Sequence, residues 1–440
     1  MKGKVNHMSL FRGPMREHLN GQKELTEHKD LVVVEPAKEV YIPIFAGAAT
    51  NPKVLVSVGD KVSVGTKIAI FDERNVVPIF SSVSGVVKEI KKMPHQSLKQ
   101  VDHIVIENDG LDTKEQAFGT IDWQKASREE LIDFMMNAGI IGCGGAGFPS
   151  YIKYKFAKDV KLLLINAVEC EPFITSDYYA AGHMFDLMLT GILAMKKMAM
   201  ADEAGIAIKK SHPELIQYVK EQLKGVEGVK VLEVPDVYPM GWERTLVREV
   251  TGKDYDRLPG EVGVVVNNAT TAYMFGKAMV QGQPIVSRIL TISGDGVKNP
   301  VNAEVRIGTP MGDVINSVAG GYTAEDILLS VGGPMMGGTQ VSDRVVVAPQ
   351  NNALTVQINK PVKDVACLRC GRCSDHCPAG LQPVRIVQAS NAKDIERVGK
   401  LSVQSCIECG MCTYICPSKL PVTENVRRAK RAYMTFAAKK

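Results

Sequence analysis

The first regular hydrophobic pattern lies between residues 39 and 110, after a polar, extended segment over residues 1–38. Residues 54–70 alternate apolar and polar side chains around the Gly59-Asp60 pair, and residues 82–90 repeat this alternation. Such alternation with a glycine turn is typical of paired strands that each bury one face. We therefore predict a small β domain over residues 39–110.

Longer, helix-like patterns alternate with short apolar runs over residues 115–300. The apolar runs at 161–166, 205–208 and 263–266 have the length of buried strands, so this region is predicted to be an α/β domain with a largely parallel sheet. A glycine-rich segment over 301–350 follows, with a strand predicted at 344–348. A cysteine-rich region spans 358–422, and a basic helix is predicted over 423–440.

No apolar segment of the sequence predicts a membrane span. The longest one, residues 187–195, is flanked by Asp186 and by Lys196-Lys197. A bilayer-spanning helix needs about 20 apolar residues. The first residues also lack the apolar core of a secretory signal. We expect a cytoplasmic protein, either free or peripheral on the cytoplasmic face of the cell membrane.

Eight of the ten cysteines lie in two runs near the carboxyl end. Both runs fit C-x₂-C-x₂-C-x₃-C-P, the spacing that binds two [4Fe–4S] clusters in bacterial ferredoxins. Zinc is the alternative, but zinc sites use two cysteine pairs and no remote C-P. In the ferredoxin arrangement the fourth cysteine of each run ligates the other cluster. The expected ligands are Cys367, Cys370, Cys373 and Cys416 for the first cluster, and Cys406, Cys409, Cys412 and Cys377 for the second.

Charge is distributed unevenly along the chain. The net charge is +5, yet residues 367–440 carry 13 Lys and Arg against 5 Asp and Glu. A basic surplus of this kind offsets the negative charge of clusters and their thiolates, or suits an acidic partner. It lacks the interleaved aromatic residues of a nucleic-acid surface, so we expect no nucleic-acid partner.

A glycine loop over residues 142–149 contains G-x-G-x-x-G. The pattern of the residues before it, 128–138, predicts a helix rather than the strand that a Rossmann turn requires. The loop still exposes backbone N–H groups that could bind phosphate. A plain glycine-rich turn is the other interpretation.

The motifs around this loop give a family resemblance. Residues 142–149 are followed by Lys153 and Phe156, by Asn166-Ala-Val-Glu-Cys-Glu-Pro172, by Tyr238-Pro-Met-Gly-Trp-Glu243 and by Val265-Val-Asn-Asn268. In this order they resemble the NADH- and FMN-binding subunit of respiratory complex I, and more closely the C subunit of the Rnf ion-translocating NADH:ferredoxin oxidoreductase.

The resemblance implies an α/β multidomain architecture. Its expected parts are a barrel-sandwich hybrid over 39–110, an FMN/NADH-binding α/β domain over 115–300, a β-grasp segment of the soluble-ligand-binding (SLBB) type over 301–350, and a two-cluster ferredoxin domain over 358–422. The barrel is similar to lipoyl domains, but residues 72–76 hold no carrier lysine. A rigid barrel without a swinging arm is therefore expected.

The resemblance also assigns cofactor-binding residues. Each assignment has a plain alternative: a solvated Lys153, helix-start caps at Glu169 and Glu171, core positions for both phenylalanines, and a turn at the paired asparagines. No catalytic acid or nucleophile stands out. The residues implied to bind FMN and NADH are Gly142, Gly144, Gly145, Phe148, Lys153, Phe156, Asn166, Glu169, Glu171, Gly241, Glu243, Asn267 and Asn268.

Four further positions are singled out beside these motifs. Complex I relatives carry acids where Val168 and Trp242 stand, so flavin contacts are in question there. Cys143, in the glycine loop, is either a redox-active thiol beside the flavin or a small buried filler. Cys170 is expected to pack.

These parts predict an NADH-oxidising electron-transfer subunit that binds FMN and two [4Fe–4S] clusters, with NADH as substrate. One hypothesis makes it the peripheral C subunit of a membrane-bound Rnf complex. A second makes it a soluble protein that delivers electrons to a cytoplasmic reductase such as D-proline reductase. A third is a cluster-binding scaffold that has lost flavin or NADH binding.

Overall fold

The computed structural model describes residues 13, 17–47, 49–73, 75–115, 118–363 and 365–439. Its described N-terminal residues contain a 3-10 turn (Lys23–Leu25) and strand β1 (Leu31–Val33), which pairs in parallel with a strand some 270 residues later (Leu31 opposite Asn302). Residues 17–38 therefore contain a 3-10 turn and a paired strand, and are not simply an extended segment. The part before residue 13, and residues 14–16, lie outside the described residues.

The predicted β domain is present as two antiparallel sheets. One has the order β2-β8-β7-β4 and the other β3-β5-β6. Alternate residues of β2 and β7 are buried, such as Val40 and Ile42, and Gly85 and Val87. Strand β8 departs from this alternation, because residues 103–106 are all buried. The strands are β2 (Glu39–Pro43), β3 (Pro52–Val54), β4 (Lys61–Val62), β5 (Lys67–Phe71), β6 (Ile79–Phe80), β7 (Gly85–Pro94) and β8 (Gln100–Asn108).

The central domain is built on a parallel four-stranded sheet in the order β11-β10-β9-β12. The three apolar runs of the sequence form three of these strands. The strands are β9 (Leu162–Asn166), β10 (Glu203–Lys209), β11 (Val229–Val234) and β12 (Val264–Asn268); the helices are α1 (Arg128–Asn137), α2 (Tyr151–Lys155), α3 (Ser176–His183), α4 (Phe185–Ala199), α5 (Pro213–Gln222), α6 (Glu243–Thr251) and α7 (Ala269–Gln281), with a 3-10 turn at Pro259–Val262.

Helices α4 and α7 cross at a backbone contact. A Cβ added at Gly191 would overlap the carbonyl of Ala272, and one at Gly276 would overlap that of Leu187. Only glycine permits this approach, which buries the apolar face of α4 against α7. The apolar stretch over 187–195 is therefore part of the domain core. Among the described residues, no helix has the length and apolarity needed to cross a membrane.

A third sheet has the order β1-β14-β13-β17-β15-β16. The strand predicted at 344–348 is absent, because those residues make only an isolated bridge between Val346 and Pro310. The sheet is completed instead by β17, which inserts between β13 and β15. Its elements are β13 (Ser287–Ser293), β14 (Val301–Arg306), α8 (Met311–Val318), β15 (Ile327–Val331), β16 (Gly338–Thr339) and β17 (Ala353–Ile358).

The cysteine region is helical, with its own small core around Ile386, Val398, Val403 and Val426. The predicted basic helix is its last element. The helices are α9 (Arg372–Asp375), α10 (Pro383–Asn391), α11 (Ile395–Lys400), α12 (Met411–Tyr414) and α13 (Val422–Ala437), with a 3-10 turn at Val403–Ser405.

Candidate functional site

The candidate flavin site is a crevice at the carboxyl ends of β9 and β12. From β9 the chain continues to β10 and β11 on one side, whereas β12 is added on the other side. Ligands of open α/β sheets bind at such a switch point. Asn166 and Asn268 end the two strands and are register partners, so both side chains lie at this edge.

The glycine loop lies over this edge. A Cβ at Gly144 would be 3.3 Å from the side-chain nitrogen of Asn268, while one at Gly145 would meet nothing within 4 Å. The loop is anchored by Cys143, whose N–H donates to Thr271 Oγ1 at 2.9 Å and whose carbonyl accepts from buried Arg288 at 3.1 Å. The loop therefore presents open backbone toward the crevice.

Cys143 is itself fully buried. Its thiol donates to the Ile141 carbonyl at 3.3 Å, and burial raises the pKa of this thiol. A buried, protonated thiol is a poor nucleophile. The structure thus favours the buried filler over the redox-active thiol. Cys170 packs beside Gly241 with a pKa that burial raises to about 11.

The three asparagines have different hydrogen-bond partners. Asn166 donates to the Gly241 carbonyl at 2.7 Å, which ties β9 to the loop before α6. Asn268 caps α7 by accepting from Thr271 N–H, and donates to Asp177 at 2.6 Å. Asn267 is buried and donates to the hydroxyl of Tyr154, so it supports the crevice from below.

Lys153 is partly buried, and its ammonium donates to the carbonyl of Val266 in β12 at 2.6 Å. Burial lowers its pKa, and the carboxylate of Glu243 acts in the opposite direction. A solvated surface lysine would show neither feature. Glu243 accepts from the hydroxyl of Tyr255 at 2.9 Å.

The two glutamates diverge. Glu169 has a left-handed backbone (φ 41°) and accepts from Ser176 Oγ and from the N–H groups of Asp177 and Tyr178, so it caps the start of α3. Glu171 instead accepts from Met335 N–H at 3.0 Å, and its other oxygen is buried without a partner. Burial raises the pKa of Glu171 to about 7. The helix-cap alternative describes Glu169 only.

The two phenylalanines are exposed, Phe148 by 44% and Phe156 by 69%, so the core alternative is wrong for both. They also face different cavities. Phe148 lines one of about 360 Å³ between the glycine loop and the barrel. Phe156 lines another of about 650 Å³ beside Tyr151. The structure does not bring them together on one ligand ring.

Val168 and Trp242 differ in their surroundings. Val168 is buried in the apolar cluster with Leu164, Ala207 and Leu246. It therefore offers no polar contact to the crevice. Trp242 precedes α6 as its N-cap residue, without a side-chain capping bond.

The two cysteine runs have matching local geometry. Arg369 and Glu408 both have left-handed backbones (φ 56° and 57°), and each donates its N–H to a cysteine sulfur two residues earlier at 3.4 Å. Gly371 and Gly410 follow with φ of 80° and 79° and begin short helices. These N–H groups stabilise thiolate charge.

The thiols of the two runs lie close to one another. Cys377, Cys409 and Cys412 each interact electrostatically with Cys406. Cys373 interacts with Cys367 and Cys370, and also with Cys377 and Cys412. These interactions cross the two expected ligand sets, so the crossed assignment stays a prediction. Burial raises the pKa of Cys409 and Cys412 to about 12, so iron binding must displace their protons.

The second cysteine run lies directly against the flavin domain. The Tyr238 hydroxyl donates to the Cys409 carbonyl at 2.6 Å, beside the carboxyl group of Glu171. Cys409 and Met411 share an apolar cluster with Tyr238 and Leu19, against which Cys170 packs. A Cβ at Gly410 would lie 2.6 Å from the Met335 carbonyl.

The residues present fit the implied cofactors. Four soft thiolate ligands per site suit iron–sulfur clusters. Among the described side chains, no group of three His, Cys, Asp or Glu is arranged for a single metal ion. The crevice offers open glycine backbone, asparagine amides and the Lys153 ammonium, which suit the phosphate and polar ring edge of FMN.

Some residues of the site carried no clear sequence signal. Asp177 is buried and holds Asn268 and Thr270, and burial with the nearby Glu169 carboxylate raises its pKa. Lys23 reaches the site from a distant part of the chain. Tyr238 stands in a motif that the sequence singled out, but its contact with Cys409 depends on domain packing.

Comparison with known families supports this architecture in order along the chain. Residues 14–111 match the RnfC barrel sandwich hybrid domain, 135–275 the Nuo51 FMN-binding domain, 289–338 the SLBB domain and 360–417 the 4Fe-4S dicluster domain. The chain of an NAD⁺-reducing [NiFe]-hydrogenase shares the fold over 72% of this chain and 62% of its own, with a TM-score of 0.50 and 17% identity.

Three relatives that align along most of their length share a higher sequence identity with this chain. The C subunit of the proton-translocating ferredoxin:NAD⁺ oxidoreductase complex of Clostridium ljungdahlii is 33% identical, over 86% of this chain and 83% of the relative. The C subunit of the Na⁺-translocating complex of Acetobacterium woodii is 34% identical over 88% of each. The C subunit of the ion-translocating oxidoreductase complex of Rhodobacter capsulatus is 34% identical over 94% of this chain and 81% of its own. The chain therefore belongs to the RnfC family of oxidoreductase subunits.

Proposed function

We propose that this protein oxidises NADH and passes the electrons through FMN to two [4Fe–4S] clusters, as the peripheral C subunit of a membrane-bound Rnf-type complex on the cytoplasmic face of the membrane. The family membership and the FMN-binding and dicluster domain matches support this proposal. The names of the relatives supply the ferredoxin:NAD⁺ chemistry and the other subunits as partners.

One observation carries the proposal furthest: the contact of Tyr238 with Cys409. Tyr238 follows β11 and lies beside Glu171, which stands on the loop after β9, so the second cysteine run lies close to both loops. A cluster held there would lie on the side of the cysteine domain that packs against the flavin domain.

FMN, when bound, accepts electrons as a pair and releases them singly, and each cluster carries one. The chain supplies position and charge for this chemistry. Gly142, Gly144 and Gly145 give the phosphate close access to the backbone, and Lys153 supplies a cation. Asn166 and Asn268 orient the polar edge of the ring, with Gly241 and Glu243 shaping the wall. Phe148, exposed at the loop, is available to stack on NADH.

Glu169, Glu171, Asn267 and Phe156 act less directly in this proposal. Glu169 fixes the start of α3, and Asn267 supports the crevice floor through Tyr154. Glu171 joins the crevice wall to the loop between β15 and β16, where the Met335 carbonyl lies against Gly410 of the second cysteine run. Phe156 faces its own cavity and contacts NADH only if the dinucleotide extends that far.

A cluster held by Cys406, Cys409, Cys412 and Cys377 would lie beside Tyr238 and would be placed to take electrons from a flavin. A cluster held by Cys367, Cys370, Cys373 and Cys416 would be placed to pass electrons to a partner, because Cys367 and Cys370 lie on the exposed side of the domain. Leu368, between these two cysteines, is 67% exposed and offers an apolar contact there.

Anaerobic titration of the reconstituted protein with NADH tests the proposal. We expect the flavin absorbance to bleach, with the low-temperature EPR signals of reduced [4Fe–4S] clusters. If dithionite reduces the clusters but NADH does not, and no flavin is bound, the proposal fails. Affinity purification from native membranes tests the partner: co-purified integral membrane subunits support the Rnf assignment, and a soluble reductase contradicts it.

A further inference from the structure

The N-terminal segment runs across the contact between the cysteine domain and the flavin domain. We call residues 17–26, together with Gly13, the strap. A Cβ at Gly13 would overlap the carbonyl of Cys377, so the strap touches the cysteine domain without space for a side chain. Glu17 pairs with His376, the neighbour of Cys377, at 2.8 Å. One end of the strap is therefore fixed to the cysteine domain.

The middle of the strap contacts both domains. The Glu17 carbonyl accepts from the N–H of Tyr238 at 2.8 Å. Leu19 is buried in the same apolar cluster as Tyr238, Cys409 and Met411. The strap thus covers the point at which the second cysteine run meets the flavin domain.

The other end is held by Lys23. Its ammonium donates to the carbonyls of Glu169 at 3.0 Å and Glu171 at 2.8 Å, and also to that of Ile174. The Gly21 carbonyl accepts from Phe173 N–H at 2.6 Å. Three carbonyls on one ammonium hold the 169–174 loop in a single shape, and this loop includes the left-handed Glu169.

We propose that the strap fixes the distance between the flavin crevice and the second cluster and so sets the rate of electron transfer between them. This inference rests on the proposed function. Each NADH gives NAD⁺, a proton and two electrons, one for each cluster. The strap takes no part in the bond changes; Lys23, Glu17 and Gly13 are positioning residues.

The positioning role explains the chemistry of the strap better than a general contribution to stability. A surface segment gains little stability from a lysine whose ammonium group must leave water, as that of Lys23 does. Here the desolvated ammonium serves the loop that carries Glu169 and Glu171, at the seam of two domains. Electron transfer weakens steeply with distance, so a small opening of this seam would slow it while leaving each domain folded.

Two variants release the strap from opposite ends. Lys23→Met removes the three carbonyl contacts, and Gly13→Leu forces a side chain against Cys377. Their matched controls are Lys29→Met, which removes one exposed lysine–carbonyl bond to Pro300, and Gly119→Leu, where an added Cβ meets nothing within 4 Å. Stopped-flow absorbance follows flavin reduction by NADH, and freeze-quench EPR follows cluster reduction.

We expect flavin reduction at the wild-type rate in Gly13→Leu and in both controls. Relative to flavin reduction in the same variant, cluster reduction should be slowed roughly tenfold or more in the two strap variants. Clusters in the controls should be reduced at the wild-type rate. Unchanged cluster reduction in both strap variants would overturn the inference. So would a parallel fall of flavin and cluster reduction, which marks a general structural defect.

Hydrogen exchange on the cofactor-free chain tests the strap independently of NADH oxidation. We expect faster exchange at residues 406–411 in both strap variants and not in the controls. If the wild-type flavin is not reduced by NADH, the proposed function fails, and this exchange pattern still decides whether the strap holds the seam. Equal exchange in all variants would contradict the strap.

Discussion

The two cysteine runs have the same spacing and nearly the same backbone, yet their surroundings differ. In the second run Cys409 is only 8% exposed, and Met411 and Gly410 press against the flavin and third-sheet regions. In the first run Cys367 and Cys370 are exposed. Local sequence therefore sets which residues bind a cluster, whereas domain packing sets what each cluster exchanges electrons with.

This difference in surroundings would set the direction of electron transfer between two clusters whose ligands have the same spacing. A ferredoxin domain alone could take electrons through either cluster. Here Tyr238 and Leu19 of the strap cover the second run. The strap also contacts the end of the first run at His376 and Cys377, whereas Cys367 and Cys370 remain exposed and accessible to a partner. Four predictions test this comparison and the flavin crevice on which it depends.

The largest effect is expected from Cys409→Ser compared with Cys370→Ser. Each change removes one ligand from one cluster. We expect Cys409→Ser to abolish NADH-driven reduction of both clusters, because the path from the flavin begins at the second. Cys370→Ser should leave the second cluster reducible by NADH. EPR after NADH and after dithionite distinguishes the two, and the opposite pattern would reverse the proposed direction.

Lys153→Met should weaken flavin binding. Loss of a charged hydrogen-bond donor costs about 1.5–3 kcal/mol, or roughly 10- to 100-fold in Kd. Fluorescence titration of the chain with FMN measures this. Lys155→Met is the control, because Lys155 lies on the same helix and is exposed. Equal affinity in both variants would remove Lys153 from the flavin site.

Tyr238→Phe should change the second cluster alone. The substitution removes the hydroxyl that donates to the Cys409 carbonyl and keeps the ring. Loss of a hydrogen bond worth about 1 kcal/mol corresponds to a change of roughly 40 mV in a one-electron reduction potential. We expect the reduction potential of the second cluster to fall, because a hydrogen-bond donor stabilises the reduced, more negative cluster.

Potentiometric EPR titration of both clusters measures this effect. A shift of the first cluster, or of both clusters equally, would contradict the local contact. Tyr414→Phe is the control, since Tyr414 is exposed on the second run's short helix.

The smallest effect concerns the pH dependence of unfolding. Burial raises the pKa of Asp177, so the folded chain holds a proton that the unfolded chain has lost above its ordinary pKa of 3.8. The contribution of Asp177 to the free energy of unfolding should then fall as pH rises toward neutrality, by at most about 1.4 kcal/mol per pH unit. Burial lowers the pKa of His95 and of His212 to about 4, and these two groups contribute in the opposite direction.

Asp177→Asn should remove this contribution, so the free energy of unfolding should fall less steeply, or rise more steeply, with pH than in the wild type, while Glu171 keeps its own contribution. Urea unfolding of the cofactor-free chain at several pH values between about 5 and 7 measures it. Asp186→Asn, at an exposed carboxyl group on α4, should leave the slope unchanged. A slope that is the same in Asp177→Asn and in the wild type would show that this carboxyl titrates normally.

Much of the fold could be predicted because each signal is local. Alternation indicated the strands of the barrel, short apolar runs indicated β9, β10 and β12, and the two cysteine runs have the matching backbone that their shared spacing implies. The strand predicted at 344–348 was wrong. Residues 345–348 are buried and apolar like a strand, but β17 takes the place in the sheet, and sequence alone does not show which of the two segments pairs there.

The site was predicted less completely, because its decisive contacts join distant segments. Glu169 and Glu171 stand two residues apart, yet one caps α3 and the other meets Met335. Lys23 and Asp177 carry no motif and become visible only once their partners are placed. The resemblance identified Glu169 and Glu171, and the structure shows the direction in which each of these two side chains points.

The most direct test of the central claim is the order in which NADH reduces the two clusters. Freeze-quench EPR of the anaerobic, reconstituted protein, mixed with one equivalent of NADH, follows each cluster after they have been distinguished with the Tyr238→Phe shift. The second cluster should be reduced first, with the first following. Reduction of the first cluster ahead of the second would contradict the proposed path from flavin crevice to partner.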